Sequence, residues 1–134
     1  MELSLNCYQF KQQPSLPKSS EKKTRLPAEI EMKGRIYCRN CNEMITDSDQ
    51  GIDKNGSHIH YCTNPAGHSY RFACYRQALG CQDLGKSSFE HSWFSTYSWK
   101  IAVCRACSEH LGWFFIGEGS FYGLIIDRLR VDDQ

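Results

Sequence analysis

From residue 34 onward the chain is written in short runs of apolar and β-branched residues separated by turn formers. The run "SYRFACY" (69–75) alternates, with Tyr70, Phe72 and Cys74 on one face and Arg71, Ala73 and Tyr75 on the other. Trp99, Ile101 and Val103 alternate in the same way, and both runs predict strands. "GRIYC" and "HIHYC" are short and rich in β-formers, and "TNPAGH" after Cys62 brings Asn-Pro and a glycine, which predicts a hairpin there. "GWFFIG" and "FYGLII" add two more strands; "CYRQALGCQDLG" is the one stretch suited to a helical turn or two. The predicted class is mostly β. Residues 1–33 differ in texture: "KQQPSLPKSSEKKTRLPAEIEMK" is polar and aperiodic, and such a segment cannot offset its ordering entropy. This segment reads as a flexible N-terminal arm, its short basic stretch solvated, and residues 34–130 as the folded domain.

A chain of 134 residues suits one domain with a modest core. With 40% hydrophobic residues, 13% aromatic residues and a net charge of +1, it reads as a soluble globular protein and not as a general polyanion binder, so no nucleic-acid partner is expected. No run approaches the roughly 18 apolar residues of a membrane span. The opening "MELSLNCYQFKQQPSL" has no apolar core of a signal peptide, so a cytoplasmic protein with no membrane partner is expected.

Eight cysteines change the picture, because four of them form two Cys-x-x-Cys pairs, Cys38/Cys41 in "YCRNCN" and Cys104/Cys107 in "VCRACS". Each pair presents two thiolates at tetrahedral spacing, and together they close a four-sulfur shell around one structural zinc with no position left for substrate. His110 stands near Cys107, but four sulfurs already suffice. Cys7, Cys62, Cys74 and Cys81 default to free thiols in a reducing compartment. The two pairs lie much farther apart than the roughly 12–20 residues of a zinc finger or ribbon, so a whole sheet must fit between them. Two antiparallel sheets pinned at one end by the metal, with the other end free to open into a pocket, satisfy that spacing.

All three tryptophans, Trp93, Trp99 and Trp113, fall in "EHSWFSTYSWKIAVCRACSEHLGWFF". Trp93 and Trp99 flank a loop of small hydroxyl residues, and Trp113 shares a strand face with Phe115. Any one indole alone would be read as core. Three of them interleaved with hydroxyls and a histidine are better placed to wall a slot.

The stretch from Glu90 to Phe115, with "CRNC" before it and "TNPAG" between, resembles the cereblon-type CULT (thalidomide-binding) domain family over about Ile36 to Leu129. The resemblance implies a β-tent, two antiparallel sheets at roughly a right angle joined by a four-cysteine zinc. It also implies a pocket for cyclic imides: Trp93, Trp99 and Trp113 as the cage, Phe115 as its floor, the His91 side chain and the backbone of His91 and Trp93 pairing with the imide, and Asn64 and Pro65 at the rim. Glu90 and Ser92, flanking His91, complete the candidate ligand-binding set. Implied partners are thalidomide-type drugs and protein termini cyclised to imides, in a family whose domain serves as the recognition part of a cullin ubiquitin ligase. The sequence shows no Lon-like region and no adaptor-binding helical segment, so adaptor binding is not expected. "STYS" lacks the family's Pro-Gly, and "AGHSY" departs from it beyond the Asn-Pro.

Two other classes share these features. Methionine sulfoxide reductases of the B type have the same paired cysteines and a nucleophilic Cys beyond the second pair, but no Cys follows Cys107. A reader of methylated ammonium would use an aromatic cage with a nearby acid such as Glu90. The sequence therefore points to a monomeric, non-enzymatic binding module.

Overall fold

The computed structural model describes residues 7–9 and 33–132; the rest of the arm lies outside the described residues. Among the described residues ten strands make two antiparallel sheets, as the mostly β reading predicts. In chain order they are β1 (Cys7–Gln9), β2 (Arg35–Cys38), β3 (Met44–Asp47), β4 (Ile59–Thr63), β5 (Ser69–Tyr75), β6 (Cys81–Ser88), β7 (Ser98–Cys104), β8 (His110–Ile116), β9 (Phe121–Ile125) and β10 (Leu129–Val131). The large sheet has the order β1-β4-β5-β9-β8-β7-β6, and the small one β10-β2-β3. β1 falls within the predicted arm, where it pairs with β4 in the register Cys7↔Cys62.

The predicted hairpin joins β4 to β5. Its turn closes with the Asn64 N–H on the His68 carbonyl at 2.8 Å and the His68 N–H on Asn64 Oδ1 at 2.9 Å, while Gly67 takes φ +92°. No helix forms in 74–85, contrary to the expectation of a helical turn or two. The chain there is held by partners outside itself: Thr46 Oγ1 donates to the Gln77 carbonyl at 2.6 Å, and the Gly80 N–H donates to the Ile45 carbonyl at 3.0 Å. Gly80 passes so close to β3 that a Cβ would stand 2.2 Å from the Met44 carbonyl oxygen. The described helical residues are two 3₁₀ turns, Ser48–Gln50 and Ile126–Arg128.

The two faces of the large sheet carry different cores. On one, Ala73, Tyr75, Leu111 and Leu124 pack with Ile36, Ile45, Ile126 and Leu129 against the small sheet. On the other, Phe72, Cys74, Trp113, Phe115, Phe121 and Ile125 gather under the loop that carries Trp93, Phe94 and Tyr97. This double burial explains why the second half of β5 is buried on both faces although its sequence alternates. It also corrects the expectation of a pocket at an open end between two sheets. The aromatic face is turned away from the small sheet, and a loop covers it.

Candidate metal centre and ligand cavity

The two cysteine knuckles have the same backbone. In the first, the Asn42 N–H donates to the Cys38 carbonyl and the Cys38 N–H to the Glu43 carbonyl; in the second, the Ser108 N–H donates to Cys104 and the Cys104 N–H to Glu109, all at 2.8 Å. Asn42 and Ser108, each just after the second cysteine, take φ +67° and +68°. A tight turn closed in this way points both thiols outward to one spot. The four Sγ atoms of Cys38, Cys41, Cys104 and Cys107 lie within 4.8 Å of one another, with Cys38–Cys107 at 3.7 Å and Cys41–Cys104 at 3.6 Å. A tetrahedral ion held at about 2.3 Å from each sulfur separates the sulfurs by about 3.8 Å, whereas a disulfide would bring them to about 2.05 Å. The donor set therefore fits a metal. Asn40 Nδ2 donates to Cys107 Sγ at 3.2 Å and holds that thiol down at about 7, while burial pushes Cys38 up to about 12. His110 does not join the sulfurs; its Nε2 meets the Gly112 carbonyl at 3.0 Å.

Strand register builds the cavity. Trp99 lies opposite Phe115 and Ile101 opposite Trp113 across β7 and β8, so the four side chains share one face. In β9 the residue opposite Trp113 is Gly123, where a Cβ would meet Phe72 at 2.8 Å and Phe115 at 3.0 Å; only a glycine lets those rings sink to floor level. The loop between β6 and β7 then folds over this face and brings Trp93 to 5.0 Å from Trp113, at 78° between rings. Trp93 also stacks on Phe72 at 5.6 Å. Two indole N–H groups latch the loop, Trp93 to the Thr63 carbonyl at 3.2 Å and Trp99 to the Glu90 carbonyl at 2.8 Å. His91 takes φ +57° in this loop, a left-handed conformation that turns the chain at the rim.

The enclosed volume is about 500 Å³. Of the residues singled out in the sequence, Asn64, Pro65, Glu90, His91, Trp93, Trp99, Trp113 and Phe115 line it. Ser92 does not: its hydroxyl is engaged within the loop, donating to the Phe94 carbonyl at 3.0 Å and accepting from the Phe94 N–H at 3.3 Å. Three lining residues, Tyr70, Ile101 and His110, were missed. Alternation could have found two of them, since Tyr70 precedes Phe72 by one period and Ile101 follows Trp99. For His110, whose ring meets Trp113 edge-on at 5.2 Å, no sequence signal exists; burial lowers its pKa and keeps the imidazole neutral.

The remaining thiols differ from expectation at one position. Cys62 is disulfide-bonded, which corrects its reading as a free thiol. Cys74 and Cys81 are free, and burial pushes both thiols up, Cys81 to about 12.

Fold and site together define an all-β domain in which a four-cysteine cluster able to hold a metal bridges the two sheets and a loop-covered aromatic cavity lies on the large one. No family model matches the chain. Its curated relatives bear the name Protein cereblon. That of Drosophila pseudoobscura pseudoobscura is 31% identical over 108 residues, covering 72% of this chain and 17% of that protein. That of Danio rerio is 33% identical over 97 residues, covering 68% and 22%. That of Drosophila virilis is 29% identical over 114 residues, covering 76% and 17%. The chain thus spans about a fifth of the length of these relatives. It is homologous to part of cereblon, in keeping with a cereblon-like CULT domain and with the resemblance carried by its tryptophans and cysteines. Among the described residues no helix is long and apolar enough to cross a membrane.

Proposed function

We propose that this chain is a binding module that holds cyclic imides, either small molecules or imide-bearing protein termini, in the aromatic cavity, with one structural zinc in the four-cysteine centre. The observation that carries the reading is the division of labour in the cavity wall. Trp93 and Trp99 have already spent their N–H groups on protein carbonyls, so they offer a ligand ring faces and not donors. Polar pairing is available at the rim, where Asn64, Glu90 and His91 stand together. A flat, neutral ring with one polar edge matches that division: apolar walls fix the ring, and the rim fixes its orientation. Zinc is the metal that four thiolates in a tetrahedral shell select, and cereblon homology supports the same choice.

Binding is favoured over catalysis because the described thiols outside the metal centre offer no nucleophile: Cys62 is oxidised, and burial keeps Cys74 and Cys81 protonated. Glu90 at the rim keeps a methylammonium reader as the competing occupant, and the two make opposite demands. Glutarimide should bind at least about tenfold more tightly than N-methylglutarimide, which has lost its donor, a difference of about 1.4 kcal/mol. Titrations of both against tetramethylammonium at two salt concentrations test this. Tightest binding by tetramethylammonium, weakened by salt, would overturn the imide reading.

A further inference from the structure

Among the described residues, one cation beside the cavity has no carboxylate partner. Arg128, in the 3₁₀ turn Ile126–Arg128, is partly buried. Its Nη1 donates to the His110 carbonyl at 2.7 Å, and its guanidinium carbon lies 6.0 Å from the centre of the Tyr70 ring. Among the described residues no carboxylate reaches it; the neighbouring Asp127 pairs with Arg71 at 3.2 Å. A guanidinium carries five N–H donors in a planar fork, and among the described residues one of them is spent, on the His110 carbonyl. A partly desolvated cation left with unspent donors is a place where an anion gains both charge and hydrogen bonds.

Both residues that Arg128 touches line the aromatic cavity. Tyr70 also walls a second cavity of about 430 Å³, whose other sides include His68, Arg128 and the paired Arg71 and Asp127. The same tyrosine meets Trp113 edge-on at 5.1 Å. A ligand seated against Trp113 therefore needs to cross only one ring to reach the guanidinium.

The geometry points to a bipartite site: a flat neutral ring in the aromatic cavity and an anionic group, carried on a short arm across Tyr70, held by the fork of Arg128. The inference rests on the imide reading for the identity of the ring and adds that the preferred ligand is acidic. Carboxylate and phosphate fit the fork equally well, and the probes below tell them apart. The Arg71–Asp127 pair is exposed and adds no net charge, so Arg128 is the residue on which the preference depends.

Calorimetric titration of the full, metal-loaded chain with matched pairs tests it. One pair is glutarimide bearing a carboxyethyl arm and the corresponding amide, with a phosphonate as third member; the other is 3-phenylpropanoate and 3-phenylpropanamide, which contains no imide. The acid should bind about tenfold more tightly than the amide at low salt in both pairs. Arg128→Gln should bring that ratio to about one, and Arg128→Lys should restore part of it. The ratio is internally controlled, because a folding defect weakens acid and amide alike. Equal binding of acid and amide by the native chain, an advantage that survives Arg128→Gln, or no binding of any probe would overturn the inference. Acid preference in the phenyl pair with no binding of glutarimides would support the anion site and sink the imide reading. Glutarimide binding without acid preference would do the reverse.

Discussion

The four-cysteine cluster, which joins the small sheet at Cys38 to the large one at Cys104, and the aromatic cavity on the large sheet are specified in opposite ways. Each cysteine knuckle is a local object: six residues close their own hydrogen bonds, and the two knuckles differ in sequence yet share backbone geometry, including the left-handed Asn42 and Ser108. The cavity has no such local unit. Its walls come from β5, β7, β8, the hairpin turn and the covering loop, and they meet only because register sets Trp99 beside Phe115 and Ile101 beside Trp113. A local motif fixes chemistry before folding; a register-built surface fixes it only afterwards. Damage to the metal end should therefore cost the fold, and damage to the cavity end should cost binding first.

The largest effect follows from removing a metal ligand. Cys104→Ser should lose zinc and unfold the domain, a loss of about 10 kcal/mol where metal binding and folding are coupled. Metal analysis and circular dichroism check it, and unchanged stability would remove the metal from the fold. Next come two truncations at the aromatic end. Phe72→Ala, at a fully buried core residue stacked under Trp93, should cost about 3–5 kcal/mol in denaturant melts. Trp99→Ala, at a partly exposed wall, should cost less than that range while abolishing imide binding. Binding that survives in a badly destabilised Trp99→Ala variant would place this indole in the core and not in the cage.

Smaller effects sharpen the contrast. Asn40→Ala removes the N–H that holds the Cys107 thiol at about 7, so the thiol should titrate higher and zinc should be released at a higher pH, with affinity down about tenfold. Competition with a chelator across pH measures this, and the cavity should bind its ligand unchanged while zinc is retained. Acid should act on the other end. His60, with no exposed surface, sits against Phe72 and Phe94, its Nδ1 has no partner, and burial lowers its pKa below 6.5. The unfolded chain then binds the extra proton first, so stability present at neutral pH declines as pH falls below about 6.5, by at most about 1.4 kcal/mol per pH unit for one such group. Urea melts at several pH values should show this slope, reduced in His60→Phe.

Much of the fold was legible because alternation and turn chemistry are local. "SYRFACY", "GWFFIG" and the Asn-Pro-containing turn appear as β5, β8 and the β4–β5 hairpin. β3 and β6 were missed for an equally physical reason. "MITD" is too short to show a period, and "CQDLGKSS" is an edge strand with mostly exposed residues, held by pairing with β7 and not by its own propensity. The helical expectation over 74–85 failed because Thr46 and Ile45, distant in sequence, bind the backbone of Gln77 and Gly80. Ser92 looked like a rim residue because it neighbours His91, yet its hydroxyl is spent inside the loop.

The sequence by itself determined the two Cys-x-x-Cys pairs, the strands that alternate and the pairing of Trp113 with Phe115 on one face, since each depends on spacings of a few residues. Only the tertiary structure decided which face of the large sheet the aromatic residues occupy. It also decided that a loop and not the small sheet covers them, and that Tyr70 and His110 come to stand against Trp113 with Arg128 behind them. Those outcomes depend on contacts between segments far apart in the chain, where burial of one face against the small sheet leaves the other to be covered by whatever loop can reach it.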